Sequence, residues 1–354
     1  MPFGTYAQDD QVLSSDSIIT PMWSNNAFTL NAYYSSSTQE STNTGKYFLG
    51  VYNGDLQYTA SAEEQFAIAY GHISGSGSTY YNPFVPGATP TRNIYSQFRS
   101  LIYGDENTSF SFGTSTTTAK DIIVISVDRA RFKESFNPGS FFLTLRSGSN
   151  AISLVDDSTT TSIATYVGTS RVYQILSGSY SVANNTSSPS SSNYTVSGSY
   201  GIIIPDEGLI ILNPRALALS VGPLGGIGAI FNEQDSTTLT TFFQTNAQFS
   251  RNNRMIYEMM KLAPTFSLQA YETLSSRYFF TRVKNAEFNY TANPTIIDNN
   301  GNVLYTQLIY NPQTYITTVG LYNNSGDLLA VAKLNKPLVK DFTKELLLRV
   351  KLDF

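Results

Sequence analysis

The sequence predicts a mainly β protein, built of β-sandwich-type domains with a short helical segment between them. Three observations carry this. Charged residues make up only 14 % of the 354 residues, against about 25 % in an average soluble chain. Tyr and Phe are abundant, at 24 and 22 residues, and suit half-buried strands. Short apolar runs alternate with Asn-Gly, Asn-Pro-Gly and Ser-Gly turn signals along most of the chain.

In chain order, residues 1–45 are polar with aromatic islands such as Ala32-Tyr33-Tyr34, and read as an extended N-terminal arm. A β-rich domain is expected over 46–220. It opens with the strand Tyr47–Tyr52, which stops at Asn53-Gly54. The stretch Glu63–Ile73 is ambiguous in type. A short helix is expected near 92–103, with Ile94, Phe98, Leu101 and Ile102 on one stripe. Thr91 is its expected N-cap and Gly104 its end. Ile122–Val127 is a near-continuous apolar run, suited to a strand buried on both faces. Further strands are expected at Phe141–Leu145, Ile152–Val155 and Val172–Leu176. The runs Gly201–Ile204 and Gly208–Leu212 flank a Pro205-Asp206-Glu207 turn, and the Ser/Asn-rich residues 183–193 read as a flexible tip.

Residues 221–264 hold the Gly-rich stretch 222–230 and a helix over 236–262, which Pro264 stops. A C-terminal β domain is expected over 265–354. Tyr278–Val283 begins it, and Asp298-Asn299-Asn300-Gly301 and Asn323–Asp327 are turns. Ile316–Tyr322 faces Leu328–Leu334 around the second turn, and Leu346–Phe354 is a terminal strand.

Composition narrows the function classes. The formal charge of −4 gives no positive field for phosphates, so no direct nucleic-acid binding is expected. There is no cysteine and one histidine, His72, which removes disulfides, thiolate chemistry and Cys-based metal sites. No signal peptide and no membrane span are read.

Each residue type that carries chemistry has a competing structural reading. The adjacent carboxylates Glu63-Glu64 and Asp156-Asp157 point to opposite faces on a strand, and are read as solvated turn or edge residues. His72 is read as half-buried at a strand end, donating to a backbone carbonyl. Gly225-Gly226-Ile227-Gly228 lacks the spacing of a phosphate cradle. Asp298-x-Asn300-Gly301 lacks the later ligands of a calcium loop. The basic cluster Arg129-Ala130-Arg131-Phe132-Lys133 is read as a strand whose arginines share a face, exposed at an edge or set against an acidic partner. Met255, Met259 and Met260 form a helical stripe, read as core rather than as a partner surface. No catalytic, cofactor-binding or metal residue is assigned, no cofactor is expected, and the chain is read as not an enzyme.

Several segments together resemble a known class. They are Tyr47–Asn53, Glu64–Ser78, Ile94–Arg99, Asp121–Ile125 with Asn137-Pro138-Gly139, and Val155–Ser158. The strongest is the run Tyr315–Asn323 through Leu328–Leu334 to Arg349–Phe354. This set resembles virion structural proteins of contractile-tailed (myovirus-like) phages, especially those of marine cyanobacteria. The resemblance implies a non-enzymatic subunit of the tail, baseplate or neck, made in the host cytoplasm and incorporated in the virion. Its implied partners are other virion proteins and copies of itself, with no membrane. A capsid or head-decoration subunit, or a fibre-type receptor- or glycan-binding protein, is the alternative.

Overall fold

A computed structural model describes residues 10–35, 48–75, 90–113, 118–147, 149–160, 165–181, 186–189, 198–221, 251–291 and 293–353. Strands hold 50 % of the described residues and helices 16 %, so the protein is mainly β. In chain order the strands are β1 (Gln11–Pro21), β2 (Thr29–Leu30), β3 (Tyr34–Ser35), β4 (Phe48–Tyr52), β5 (Glu64–His72) and β6 (Asp121–Ser126). There follow β7 (Ser135–Phe136), β8 (Phe142–Ser147), β9 (Asn150–Asp156), β10 (Thr165–Val167), β11 (Ser170–Ser181), β12 (Thr186–Pro189), β13 (Gly201–Ile204) and β14 (Leu209–Leu212). The last are β15 (Phe266–Ser267), β16 (Gln269–Val283), β17 (Thr314–Tyr322), β18 (Leu328–Lys340) and β19 (Leu346–Asp353). The helices are α1 (Pro90–Tyr103), α2 (Arg129–Phe132), α3 (Pro214–Val221), α4 (Arg251–Lys261) and α5 (Thr306–Tyr310).

The chain divides into two compact units. The larger is residues 18–272, and the smaller joins residues 1–17 to residues 273–354. These limits differ from the boundaries expected at 45, 220 and 264. The expected arm is the clearest difference. Within its described part, Met22, Trp23, Leu30 and Tyr33 are all buried in the core of the larger unit. The aromatic islands that made the segment look loosely docked are the residues that anchor it.

The larger unit is organised by a thirteen-stranded sheet. Its main path runs β2-β15-β8-β9-β11-β13-β14-β6-β5-β4-β3, with β10 and β12 attached to β11. Every pairing described in this sheet is antiparallel. The sheet curls, because its two end strands are neighbours in sequence. Only residues 31–33 separate β2 from β3, a span of at most about 14 Å. A flat path of eleven strands would hold its ends about 48 Å apart. The packing expected of facing sheets is thus made by opposite ends of one sheet. Phe266 of β15 and Phe66 of β5 touch edge-on at 5.4 Å across the interior. Trp23 lies against both, at 4.9 Å from Phe266 and 6.0 Å from Phe66.

The apolar run on β6 serves both faces, as its sequence suggests. Ile123 and Ile125 join the inner cluster with Leu143, Leu154, Ile210 and Phe266. Ile122 and Val124 join an outer cluster with Ile202, Ile211 and the helix residues Tyr95, Phe98 and Ile102. The α1 stripe is therefore Tyr95, Phe98 and Ile102, while Leu101 is exposed. Thr91 lies inside the first turn rather than capping it, since the helix begins at Pro90. Gly104 ends the helix as expected, with positive φ and its N–H on the Ser100 carbonyl at 3.0 Å. The helix approaches β5 closely at Gly71, where a Cβ would lie 2.8 Å from the Tyr95 backbone nitrogen.

The ambiguous stretch at 63–73 is the strand β5, held between β4 and β6. The expected second helix is present over 251–261, and its start at 236–250 lies outside the described residues, as does the Gly-rich stretch 222–230. Ile256, Met259 and Met260 are buried in the inner core, so this part of the methionine stripe is core. Of the expected tip at 183–193, residues 186–189 pair with β11.

The smaller unit holds β19 and most of β1 and β16, in the order β1-β16-β19, and a separate two-stranded ribbon, β17-β18. The terminal strand is tied in along its length, from Ser276↔Asp353 to Val283↔Leu346. The ribbon and its turn match the sequence reading, with Tyr322↔Leu328 closing it.

Phe266 is fully buried and also meets Phe141 at 6.0 Å. Phe266→Ala is expected to lower stability by about 3–5 kcal/mol through lost burial and a cavity. Tyr58→Ala, at a residue 81 % exposed, is expected to stay within about 0.5 kcal/mol. Chemical-denaturation midpoints of the two variants make the comparison.

Candidate functional site

The single histidine sits at the end of β5 and is buried, at 3 % exposure. The ring is more deeply buried than the half-burial expected. Nδ1 is an acceptor, taking the Ser74 backbone N–H at 3.2 Å, with the Ser74 hydroxyl 3.0 Å away. Burial pushes its pKa down to about 4, and nearby Lys120 adds to the shift. The ring is therefore neutral at pH 7, tied to the turn that follows β5.

Asp156 and Asp157 are not at a solvated edge. Asp156 is 1 % exposed and lies at the end of β9. Its carboxylate accepts the backbone N–H groups of Gly139, Phe141 and Ser158 at 3.0–3.2 Å. The Ser158 hydroxyl donates to the same group. Burial raises this carboxyl above its usual range, while the donors from Ser158, Phe141 and Gly139 oppose the rise. Asp157 turns the other way, accepting the Gln174 N–H at 2.9 Å. The pair does point in opposite directions, and each member fastens a different loop or strand. Asp156 holds the Asn137-Pro138-Gly139 turn against β9.

The basic cluster is a helical turn, not a strand. Asp128 caps α2 by accepting the Ala130 N–H at 3.0 Å, and this local bond outcompetes extension. The three cations separate as a result. Arg131 reaches Glu64 O at 2.8 Å, Ser24 Oγ at 3.1 Å and Glu63 Oε2 at 3.3 Å. Arg129 lies over the Phe132 ring, and Lys133 pairs with Glu272. Beside this network runs a groove of about 570 Å³, lined by Phe48, Glu63, Gln65, Asp128 and Arg131 among others. Its polar groups are engaged with one another, and the bonds from Ser24 and Arg131 hold the exposed Glu63 carboxyl below its usual range.

The Asp298 turn closes on itself. Its carboxylate accepts the N–H groups of Asn300 and Asn302 at 2.9 and 2.7 Å and the Asn302 amide at 3.1 Å. This is the hairpin-type turn expected, with Gly301 at positive φ. Among the described residues, no group of three or more His, Cys, Asp or Glu is placed to hold a metal ion. No helix among them is long and apolar enough to cross a membrane.

Two features of the smaller unit escape sequence reasoning. Lys340 is fully buried. Its ammonium donates to Asn285 O at 2.9 Å, Asn289 Oδ1 at 2.8 Å and Asp341 O at 2.9 Å, using all three hydrogens. These acceptors come together only in the fold, so no local pattern marks them. The second feature is the distribution of apolar side chains. Among the described residues of this unit, the buried ones are Val283, Ile297, Leu321, Leu348 and Val350. The exposed large ones outnumber them and include Tyr310 at 89 %, Leu329 at 68 % and Tyr315 at 62 %. Single exposed apolar side chains are common on folded proteins, but six of these large ones, Tyr315, Tyr322, Leu328, Leu329, Val331 and Leu338, lie on the one ribbon β17-β18, and a concentration of this kind is a candidate interaction surface. The candidate site is this surface, centred on the ribbon β17-β18.

Two variants test the buried polar groups. Asp156→Asn turns one acceptor atom into a donor against backbone N–H groups, and is expected to cost about 1–3 kcal/mol in denaturant unfolding at pH 7. His72 has a folded pKa of about 4, below the value of about 6.5 expected in the unfolded chain. Its contribution is full above pH 6.5 and is lost as pH falls toward 4, because the unfolded state takes the proton first. The loss is about 3 kcal/mol over that window. His72→Asn, whose Oδ1 can replace Nδ1 as acceptor, is expected to remove this part of the pH dependence. Unfolding of both proteins at pH 7, 5.5 and 4.5 measures it, and an unchanged slope in the variant would contradict the assignment.

No protein-family model, no curated protein and no solved structure matches this chain.

Proposed function

We propose that the protein is a non-enzymatic structural subunit of a phage virion. It belongs to the tail, baseplate or neck and acts through assembly interfaces with other virion proteins and with copies of itself. The observation that supports this most is the outward-facing apolar inventory of the smaller unit. Covering that surface with another protein chain would remove it from water at roughly 25 cal/mol per Å². The described residues of the segments with the strongest resemblance to virion proteins, Tyr315–Asn323, Leu328–Leu334 and Arg349–Phe354, fall on most of β17 and on parts of β18 and β19 of this unit. Aromatic side chains with polar tips are enriched in such interfaces. Neither a cofactor, a membrane nor nucleic acid has a part in this reading. A capsid or head-decoration subunit would use the same surface. The fibre-type reading draws on the groove beside Arg131 and is weaker, because that groove's polar groups already bond to one another.

Antibodies raised against the purified chain can be applied to intact particles of the phage that encodes it. The expected result is gold label confined to the tail, baseplate or neck, with peptides of this chain in the protein mixture of washed particles. Label over the head would move the subunit to the capsid. Absence of its peptides from purified particles would overturn the virion reading.

A further inference from the structure

The ribbon β17-β18 is long, two-stranded and exposed along most of its length. A lone pair of strands is marginal in water, and three or more are the usual stable unit. Among the described residues, each strand has one hydrogen-bonded neighbour. Each therefore has an outer edge of backbone N–H and C=O groups that another strand can pair with.

The two edges differ in kind. On β18 the outer edge carries exposed Lys333, Lys336 and Pro337. The register also breaks there, since Thr318 pairs with Lys333 but Ile316 pairs with Leu338. Lysine, proline and a bulge are the devices that keep strand edges from pairing. β17 carries no lysine and no proline, and at both register breaks of the ladder, Ile316/Thr318 and Leu321/Tyr322, the extra residues fall on β18. The β17 sequence, Thr-Tyr-Ile-Thr-Thr-Val-Gly-Leu-Tyr, has no charge and no proline. Thr, Tyr, Ile and Val dominate it, and all favour strands.

We propose that β17 is the site where this chain pairs with a second copy of itself. Two β17 strands meet antiparallel across a two-fold axis near Thr318, the middle residue of the strand. The product is a four-stranded sheet of order β18-β17-β17-β18. An antiparallel pair made by one segment with its own copy satisfies a two-fold interface, in which each copy offers the same surface. Charge selects this pairing over its rivals. Two β17 strands set no like charges against each other. Two β18 strands would bring lysines together, and a β17-to-β18 contact would have to accommodate Pro337 in its ladder. The inference rests on the assembly reading above and adds the contact by which copies associate.

The test uses the full chain and analytical ultracentrifugation. Thr318 is exposed, so Thr318→Lys and Thr318→Glu are compatible with the folded protein. The parent is expected to show mass rising with concentration. Each variant alone is expected to associate about two- to fivefold more weakly, because like charges then face each other near the axis. An equimolar mixture of the two is expected to recover association. Lys336→Glu, on the other edge, is expected to behave as the parent does. If the parent associates and both Thr318 variants associate equally well, pairing through β17 is overturned while the assembly reading stands. If the parent is a monomer at every concentration, self-pairing is overturned, and particle labelling alone decides the virion reading.

Discussion

Residues 31–33 connect the strands at the two ends of an eleven-strand path, and much of the larger unit depends on that closure. Once the ends are this close, the sheet must curl, and its inner face becomes a core without a second sheet. Three rings then hold the ends across the interior, Trp23 before β2, Phe66 on β5 and Phe266 on β15. The two-residue strands β2 and β15 add few hydrogen bonds of their own. Their position is fixed by the buried side chains beside them, including Leu30 at 7 % exposure and the fully buried Phe266. The outer face is treated separately, with α1 covering β6, β13 and β14 through Tyr95, Phe98 and Ile102.

Closure also explains the small irregularities around the sheet. Gly208 ends the turn between β13 and β14 at a φ of +69°, and a Cβ there would lie 2.2 Å from the Phe132 ring. A left-handed backbone and a ring in the same place leave room only for glycine. Asp156 fastens the turn before β8 to the end of β9 by accepting the Gly139 and Phe141 backbone N–H groups. These are the buried polar bonds that a charge-poor sequence keeps, and each one joins parts of the chain that the sheet has brought together.

What was legible in the sequence follows from range. The apolar runs at 122–127, 201–204 and 208–212 read as strands because burial on both faces leaves a local mark. The ribbon at 316–334 reads as a hairpin because its turn residues lie between its strands. Gly104 and Pro264 likewise mark helix ends by local chemistry. The arm reading fails for the opposite reason. Trp23, Leu30 and Tyr33 lie in short apolar islands among polar residues, and the partners that bury them, such as Phe66 and Tyr257, are distant in sequence. The basic stretch 129–133 fails more narrowly. Alternation suggested a strand, but Asp128 beside it supplied a helix cap. Lys340 had no local signal at all, since two of its three acceptors, at Asn285 and Asn289, lie about fifty residues away.

The polar candidates and the apolar one therefore stand differently. The neutral His72, the buried Asp156 and Asp157, and Arg131 with Glu63 each have a defined partner inside the larger unit, and each partner is part of the fold. Removing any of these side chains would first disturb a turn, a strand end or a cap. On the ribbon of the smaller unit six large outward side chains are apolar. Tyr315, Leu329 and Val331 are exposed, and water gains nothing from contact with them. Among the described residues, neither core cluster contains any of residues 273–354. An apolar, uncharged strand edge of this kind is a hazard in a monomer and an asset in an assembly. The lysines and proline lie on β18 and not on β17, so the two edges of the ribbon are not equivalent.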